Sequence, residues 1–157
     1  MAASDVSAVT ARLKNRIQSV ANIGVVWEHD VFSRRDLRAA IVSTIGGQPT
    51  LRAWWITGPT MTARKAVQLP GGMVERVWRY SVHGVHGLSD TGDSLLTLRD
   101  LAVLVADAID ADETLNGSAL RTSPCEWPVG PENRGAFAGV GASYVQLSKT
   151  VVTLSTP

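Results

Sequence analysis

Three groups of residues have the types and spacing that could carry chemistry. His83-Gly84-Val85-His86 is the close pairing in a chain with three histidines. Imidazoles ligate metal ions and exchange protons near neutral pH. Positions three apart on a strand project to opposite faces, so a shared ion would need a break at Gly84 and carboxylates from elsewhere. The competing reading is a pair of surface histidines near a strand end. Cys125 is the sole cysteine, so no internal disulfide and no cysteine-rich zinc site can form; it reads as a small buried or partly buried residue, with no histidine near in sequence to activate it. Asp107, Asp110, Asp112 and Glu113 could gather around a cation. Their spacing lacks a calcium-binding loop, however, and a solvated helix end explains them more simply.

Familiar catalytic motifs are missing. There is no Gly-x-Ser-x-Gly elbow, no Gly-x-x-x-x-Gly-Lys phosphate loop and no His-Glu-x-x-His. The glycines of Gly135-Ala136-Phe137-Ala138-Gly139-Val140-Gly141 follow a loop and lead into a strand, whereas a dinucleotide fingerprint needs a strand before and a helix after. They predict close backbone approach or a bend. No catalytic residue, metal or cofactor is expected, and the chain reads as a non-enzyme.

The elements that position these groups centre on residues 73 to 111. Val74, Trp78, Tyr80 and Val82 fall on one face of a strand, with Glu75, Arg79, Ser81 and His83 on the other. Gly84, Gly87, Gly92 and Ser89-Asp90-Thr91 then punctuate the chain, and Asp93 or Ser94 can cap a following helix. In that helix Leu98, Leu101, Ala102, Val105, Ala108 and Ile109 recur at three- and four-residue spacing. Leu95, Leu96, Val103 and Leu104 widen the apolar sector, so the helix needs cover on more than one side. Its acidic end sits unfavourably at the negative helix pole, which predicts basic groups nearby, on this chain or on a neighbour. Thr114-Leu115-Asn116-Gly117 closes it with a glycine.

At 157 residues, 45% hydrophobic and 18% charged, the chain predicts one folded domain, 1–157. No apolar run reaches the ~18 residues of a membrane span, and the polar amino terminus does not resemble a secretory signal, so a cytoplasmic site of synthesis is expected. The net charge of +1 conceals an asymmetry. Residues 1 to 79 hold eleven Lys or Arg against five acids, +6, while residues 80 to 157 hold four against nine, −5. Internal pairing explains this; so does head-to-tail assembly, in which a basic flank meets the acidic flank of the next copy. The balance argues against sequence-specific nucleic-acid binding.

Along the rest of the chain, Ser4 can cap a helix over 5–20 with Val6, Val9, Leu13, Ile17 and Val20 on one face. Residues 25–27 begin a strand, and 34–45 reads equally as a short helix capped by Ser33 or as a strand. Gly46-Gly47-Gln48-Pro49 is a turn, 51–57 a strand bounded by Gly58-Pro59, and 62–69 another extended piece. Pro70-Gly71-Gly72 then makes a hairpin, with an arm around 60–78 reaching beyond the body. Residues 118–135 read as a strand fragment and a surface loop. The last twenty residues form a long strand whose phase breaks at Val151-Val152, as a bulge would do. Adjacent Trp54 and Trp55 must face opposite sides of the sheet, so the second side meets either a neighbouring subunit or a two-sided core. The predicted fold is α+β, an antiparallel or mixed sheet of about four to six strands packed by an N-terminal helix and a second apolar helix.

The order of these segments resembles the tail-terminator proteins of long-tailed bacteriophages. It is carried by the N-terminal amphipathic helix, the central strands, the long strand ending in Trp78-Arg79-Tyr80-Ser81-Val82, the apolar helix, the Thr114-Leu115-Asn116-Gly117 turn, and the terminal strand Phe137-Ala138-Gly139-Val140-Gly141-Ala142-Ser143-Tyr144-Val145-Gln146-Leu147. That resemblance implies a virion protein without chemistry, forming a hexameric ring that caps the tail tube, ends tube polymerisation and joins tail to neck. Its implied partners are copies of itself, the major tail-tube protein and a neck or stopper protein, with DNA passing through the ring and no membrane involved. Another neck component is the nearest alternative, and a small cytoplasmic enzyme the next. The candidate contact residues are Trp54, Trp55, Arg64, Lys65, Asp107, Asp110, Asp112, Glu113 and Trp127.

Overall fold

The computed structural model describes residues 2–30, 36–66, 72–88, 94–127, 133–137 and 140–155. Its elements in chain order are α1 (Ala2–Gln18), β1 (Val25–Trp27), α2 (Leu37–Ile41), β2 (Val42–Ile45), β3 (Gln48–Ala66), β4 (Val74–Gly87), α3 (Ser94–Asp110), β5 (Arg121–Thr122), β6 (Asn133–Phe137) and β7 (Val140–Ser155). The fold is α+β. One mixed sheet runs β1-β3-β4-β7-β5, with β2 added to β3 and β6 to β7. β1 lies parallel to β3; the other pairs are antiparallel.

Alternation along the strands explains both layers. Trp54, Ile56, Tyr80, Val82, Leu147 and Val151 point to one face, where Val9, Leu13 and Ile17 of α1 and Leu98, Leu101, Ala102, Val105 and Ile109 of α3 cover them. Burying each such large side chain stabilises by about 1.5–3 kcal/mol. The opposite face packs Ala53, Trp55, Val85 and Ala142 against Ile41 and Leu37 of α2, with Trp27 donating to the Ala40 carbonyl at 2.9 Å. The sheet therefore has a second core of its own.

Several expectations change in detail. α1 starts at Ala2, ahead of Ser4, so Ser4 lies inside the helix instead of capping it. Residues 37–45 divide into helix and then strand, and Asp36 is the cap, accepting from Ala39 N–H at 3.0 Å. β3 runs through Gly58-Pro59 as one strand, absorbing them as a register shift between Thr57 and Thr60. β4 continues through Gly84 to Gly87. A Cβ on Gly84 would lie 2.7 Å from the Trp54 ring, so the missing side chain makes room for the indole across the strand. β3 and β4 pair antiparallel as expected, but β7 flanks β4 down to Val74↔Ser155, so the described part of the 60–78 region is not a free two-stranded arm.

The final segment is a hairpin of β6 and β7 instead of one strand. β7 keeps its phase at Val151 and Val152, with no bulge against β4, because both faces are covered there. Ser33, Pro70-Gly71, Ser89-Asp90-Thr91, Gly92, Asp93 and part of the 121–135 loop lie outside the described residues. Among the described residues, no helix is long and apolar enough to cross a membrane.

Candidate functional site

The acidic end of α3 is held by basic groups, as its position at the negative helix pole demands. Asp110 accepts a hydrogen bond from Lys149 Nζ and two from the Cys125 backbone N–H, at 3.0 and 3.1 Å. Lys149 projects from the helix-facing side of β7 and is 1% exposed, so its ammonium depends on that carboxylate. Burial pushes the Asp110 carboxyl up, but Lys149 and the Cys125 amide together outweigh it and hold the group below its ordinary value. Asp112 accepts from Arg16 at 2.6 Å and from the Asn116 amide at 2.8 Å. The Arg16 bond, followed by the Asn116 amide, also lowers its pKa. The chain turns there through three left-handed residues, Leu115, Asn116 and Gly117.

Cys125 sits over this clasp. Burial and then the Asp110 charge push its thiol up to about 12, the opposite of an activated nucleophile.

A second polar group lies on the α2 side of the sheet. His83 stacks on Trp55 with ring centroids 5.4 Å apart and 9° between planes. Its Nε2 lies 2.7 Å from the Thr57 hydroxyl, and its Nδ1 contacts the Tyr144 hydroxyl. Burial lowers the His83 pKa, opposed by the Asp30 charge, and burial raises that of Tyr144. A neutral imidazole suits the site: it accepts at one nitrogen and donates at the other. The pairing of hydroxyl and imidazole could in principle support proton transfer. His86 projects to the opposite face and is buried, so the histidines share no ion and are not surface groups. Among the described residues, no cluster of three or more potential ligands is arranged to hold a metal.

The candidate contact residues fall into distinct environments. Trp54 is 0% and Trp55 1% exposed, each enclosed by one of the two cores, so neither presents a surface to another subunit. Asp110 and Asp112 are committed inside the chain. Arg64, Asp107 and Glu113 are exposed and form no ion pair among the described residues. Lys65 lies on β3 opposite Glu75. Trp127 is 44% exposed on the loop after β5. Arg16–Asp112 and Arg79–Glu126 join the basic half to the acidic half within the chain, so part of the charge asymmetry is spent internally.

The structure adds contact candidates that were passed over. Val103 and Leu104, on the outer side of α3, are 48% and 51% exposed, and Met61, on β3, is 49% exposed. The wide apolar sector of α3 was the signal for the first two. Lys149 was missed because nothing in its strand context distinguishes a buried lysine from a solvated one.

No protein-family model matches the chain, and no curated protein matches it.

Proposed function

We propose that the protein is a structural component of a virion, a ring-forming terminator that caps the tail tube of a long-tailed bacteriophage and joins it to the neck. The observation that carries this reading is the outer side of α3. The helix buries Leu98, Leu101, Val105 and Ile109 completely or nearly so, yet leaves Val103 and Leu104 half exposed beside Asp107, which forms no ion pair among the described residues. A helix with apolar residues on both sides asks for a second cover. The basic Arg64 on the exposed run of β3 gives a complementary charge for the acidic α3 end of the next copy, the geometry of a heterologous ring contact. The order of segments supports the same class, with a hexamer as its copy number.

The test is imaging of purified tail tubes mixed with the protein, together with its mass in solution. Rings of about six copies, or density closing the tube end, are the expected results. Open tubes that keep growing in its presence would end the reading. The Thr57–His83–Tyr144 group favours a small enzyme as the second reading. On that reading Thr57→Ala would abolish a hydrolytic or transfer activity, and tube capping would be absent.

A further inference from the structure

Lys149, on the helix-covered face of the sheet, is matched by Asp110, but a second polar group at one end of that face has no such partner. There, Arg52, His86 and Ser143 stand side by side on three adjacent strands, because Arg52 pairs in register with His86 and His86 with Ser143. Arg52 and His86 are each 9% exposed and Ser143 is 0% exposed. Arg52 donates to the Asn22 carbonyl at 2.7 Å and reaches His86 Nδ1 at 3.5 Å. Among the described residues, no carboxylate pairs with it.

Only two buried side-chain polar atoms lack a hydrogen-bond partner among the described residues: Ser143 Oγ, in this row, and Trp54 Nε1, on the same face one row further along. An uncompensated buried charge and an unmade hydrogen bond both cost stability. Guanidinium and indole groups donate and never accept, and the hydroxyl can donate as well. Burial, followed by the Arg52 charge, lowers the His86 pKa against the Leu51 carbonyl, so this imidazole adds no second charge at neutral pH. The group missing from such a donor-rich place is an acceptor with negative charge.

We propose that Arg52, His86 and Ser143 form a binding site for a small oxyanion at the end of the sheet's helix-side face, with Arg52 supplying the charge and Ser143 a hydrogen bond. The planar fork of arginine matches two oxygens of phosphate or carboxylate. The site is independent of the ring contact on α3, so either can fail without the other.

The experiment is thermal denaturation of the full chain in sodium phosphate, sodium acetate and sodium chloride at matched pH and ionic strength. Binding to the folded state alone gives a saturating rise in Tm with the concentration of the matching anion. A rise in phosphate assigns a tetrahedral oxyanion; a rise in acetate alone assigns a carboxylate. Ser143→Ala removes a hydroxyl that is unsatisfied without the anion. It should therefore equal or exceed the parent in chloride and fall below it in the matching anion, with affinity weakened about tenfold. Arg52→Lys keeps the charge, loses the fork and should weaken binding similarly. Equal Tm in all three salts would overturn the site, as would a full anion response retained by Ser143→Ala.

Discussion

Replacing Asp110 by Asn tests the clasp between α3 and β7. The change keeps the size of the side chain and its acceptor for the Cys125 amide but removes the charge facing Lys149, whose side chain is 1% exposed. Breaking a buried pair by removing one partner costs about 3–5 kcal/mol. Asp110 is 32% exposed, so water reaches part of the site and the lower end, about 3 kcal/mol, applies. That is a large share of the ~5–15 kcal/mol typical of a domain. Lys149→Met, which removes the buried ammonium and leaves a carboxylate that water partly reaches, should cost much less, and the double variant should recover most of the loss. Urea denaturation of the four proteins gives the coupling directly. Asp110 titrates lower when folded than unfolded, so its contribution is present above the unfolded value near 3.8 and is lost as pH falls through the folded value. Lys149→Met should flatten that acid limb. A loss below about 1 kcal/mol for Asp110→Asn, or an equal loss for Lys149→Met, would refute the assignment of the charge as the source of cost.

Gly84→Ala should destabilise by about 1–3 kcal/mol through overpacking against Trp54, where an unobstructed strand glycine would gain up to about 1 kcal/mol, and a rise in Tm would contradict the close approach. Both His83 and His86 have folded pKa values below 6.5, so the unfolded chain binds protons first and stability should decline as pH falls from about 6.5 towards the folded values. Urea midpoints across that range measure it, and His83→Gln combined with His86→Gln should flatten the dependence. Val103→Glu with Leu104→Glu should leave the isolated chain within about 0.5 kcal/mol of the parent, since both positions are already half exposed, while abolishing ring formation and tube capping. Unfolding of that variant would show the two residues to be part of the chain's own core.

Much of the fold was legible because strong periodicity survives tertiary context. Val9, Leu13 and Ile17 marked α1 at its true face, and Leu98, Leu101, Val105 and Ile109 did the same for α3. The even positions from Val74 to Val82 also lie on the helix side. Local breakers misled where packing overrode them. Gly58-Pro59 became a register shift inside β3, and Gly84 became a groove for Trp54, because neighbouring strands supply hydrogen bonds that isolated residues lack. Val151-Val152 suggested a bulge only if one face of the sheet is wet. Val151 is 0% and Val152 6% exposed, so both faces are covered at that point and the premise fails.

The contact surface was less legible than the core. Charge and aromatic content mark candidates but not which way they point, so Trp54 and Trp55 ended inside and Asp110 turned to a lysine of its own chain. Arg52, His86 and Ser143 are 34 and 57 positions apart in sequence, and only strand register brings them into one row.

β4 has a mechanical consequence. From Val74 to Gly87 it carries a ladder to β7 along one edge, and from Val74 to His86 a ladder to β3, interrupted by two shifts, along the other. At ~3.4 Å per residue its length is about 45 Å. Tension applied lengthwise at the hairpin end is shared by many hydrogen bonds loaded in shear, whereas a sideways pull on the outer run of β3 opens its ladder one rung at a time. A load-bearing junction built from this protein would hold best when strained along β4 and give way first by peeling at β3.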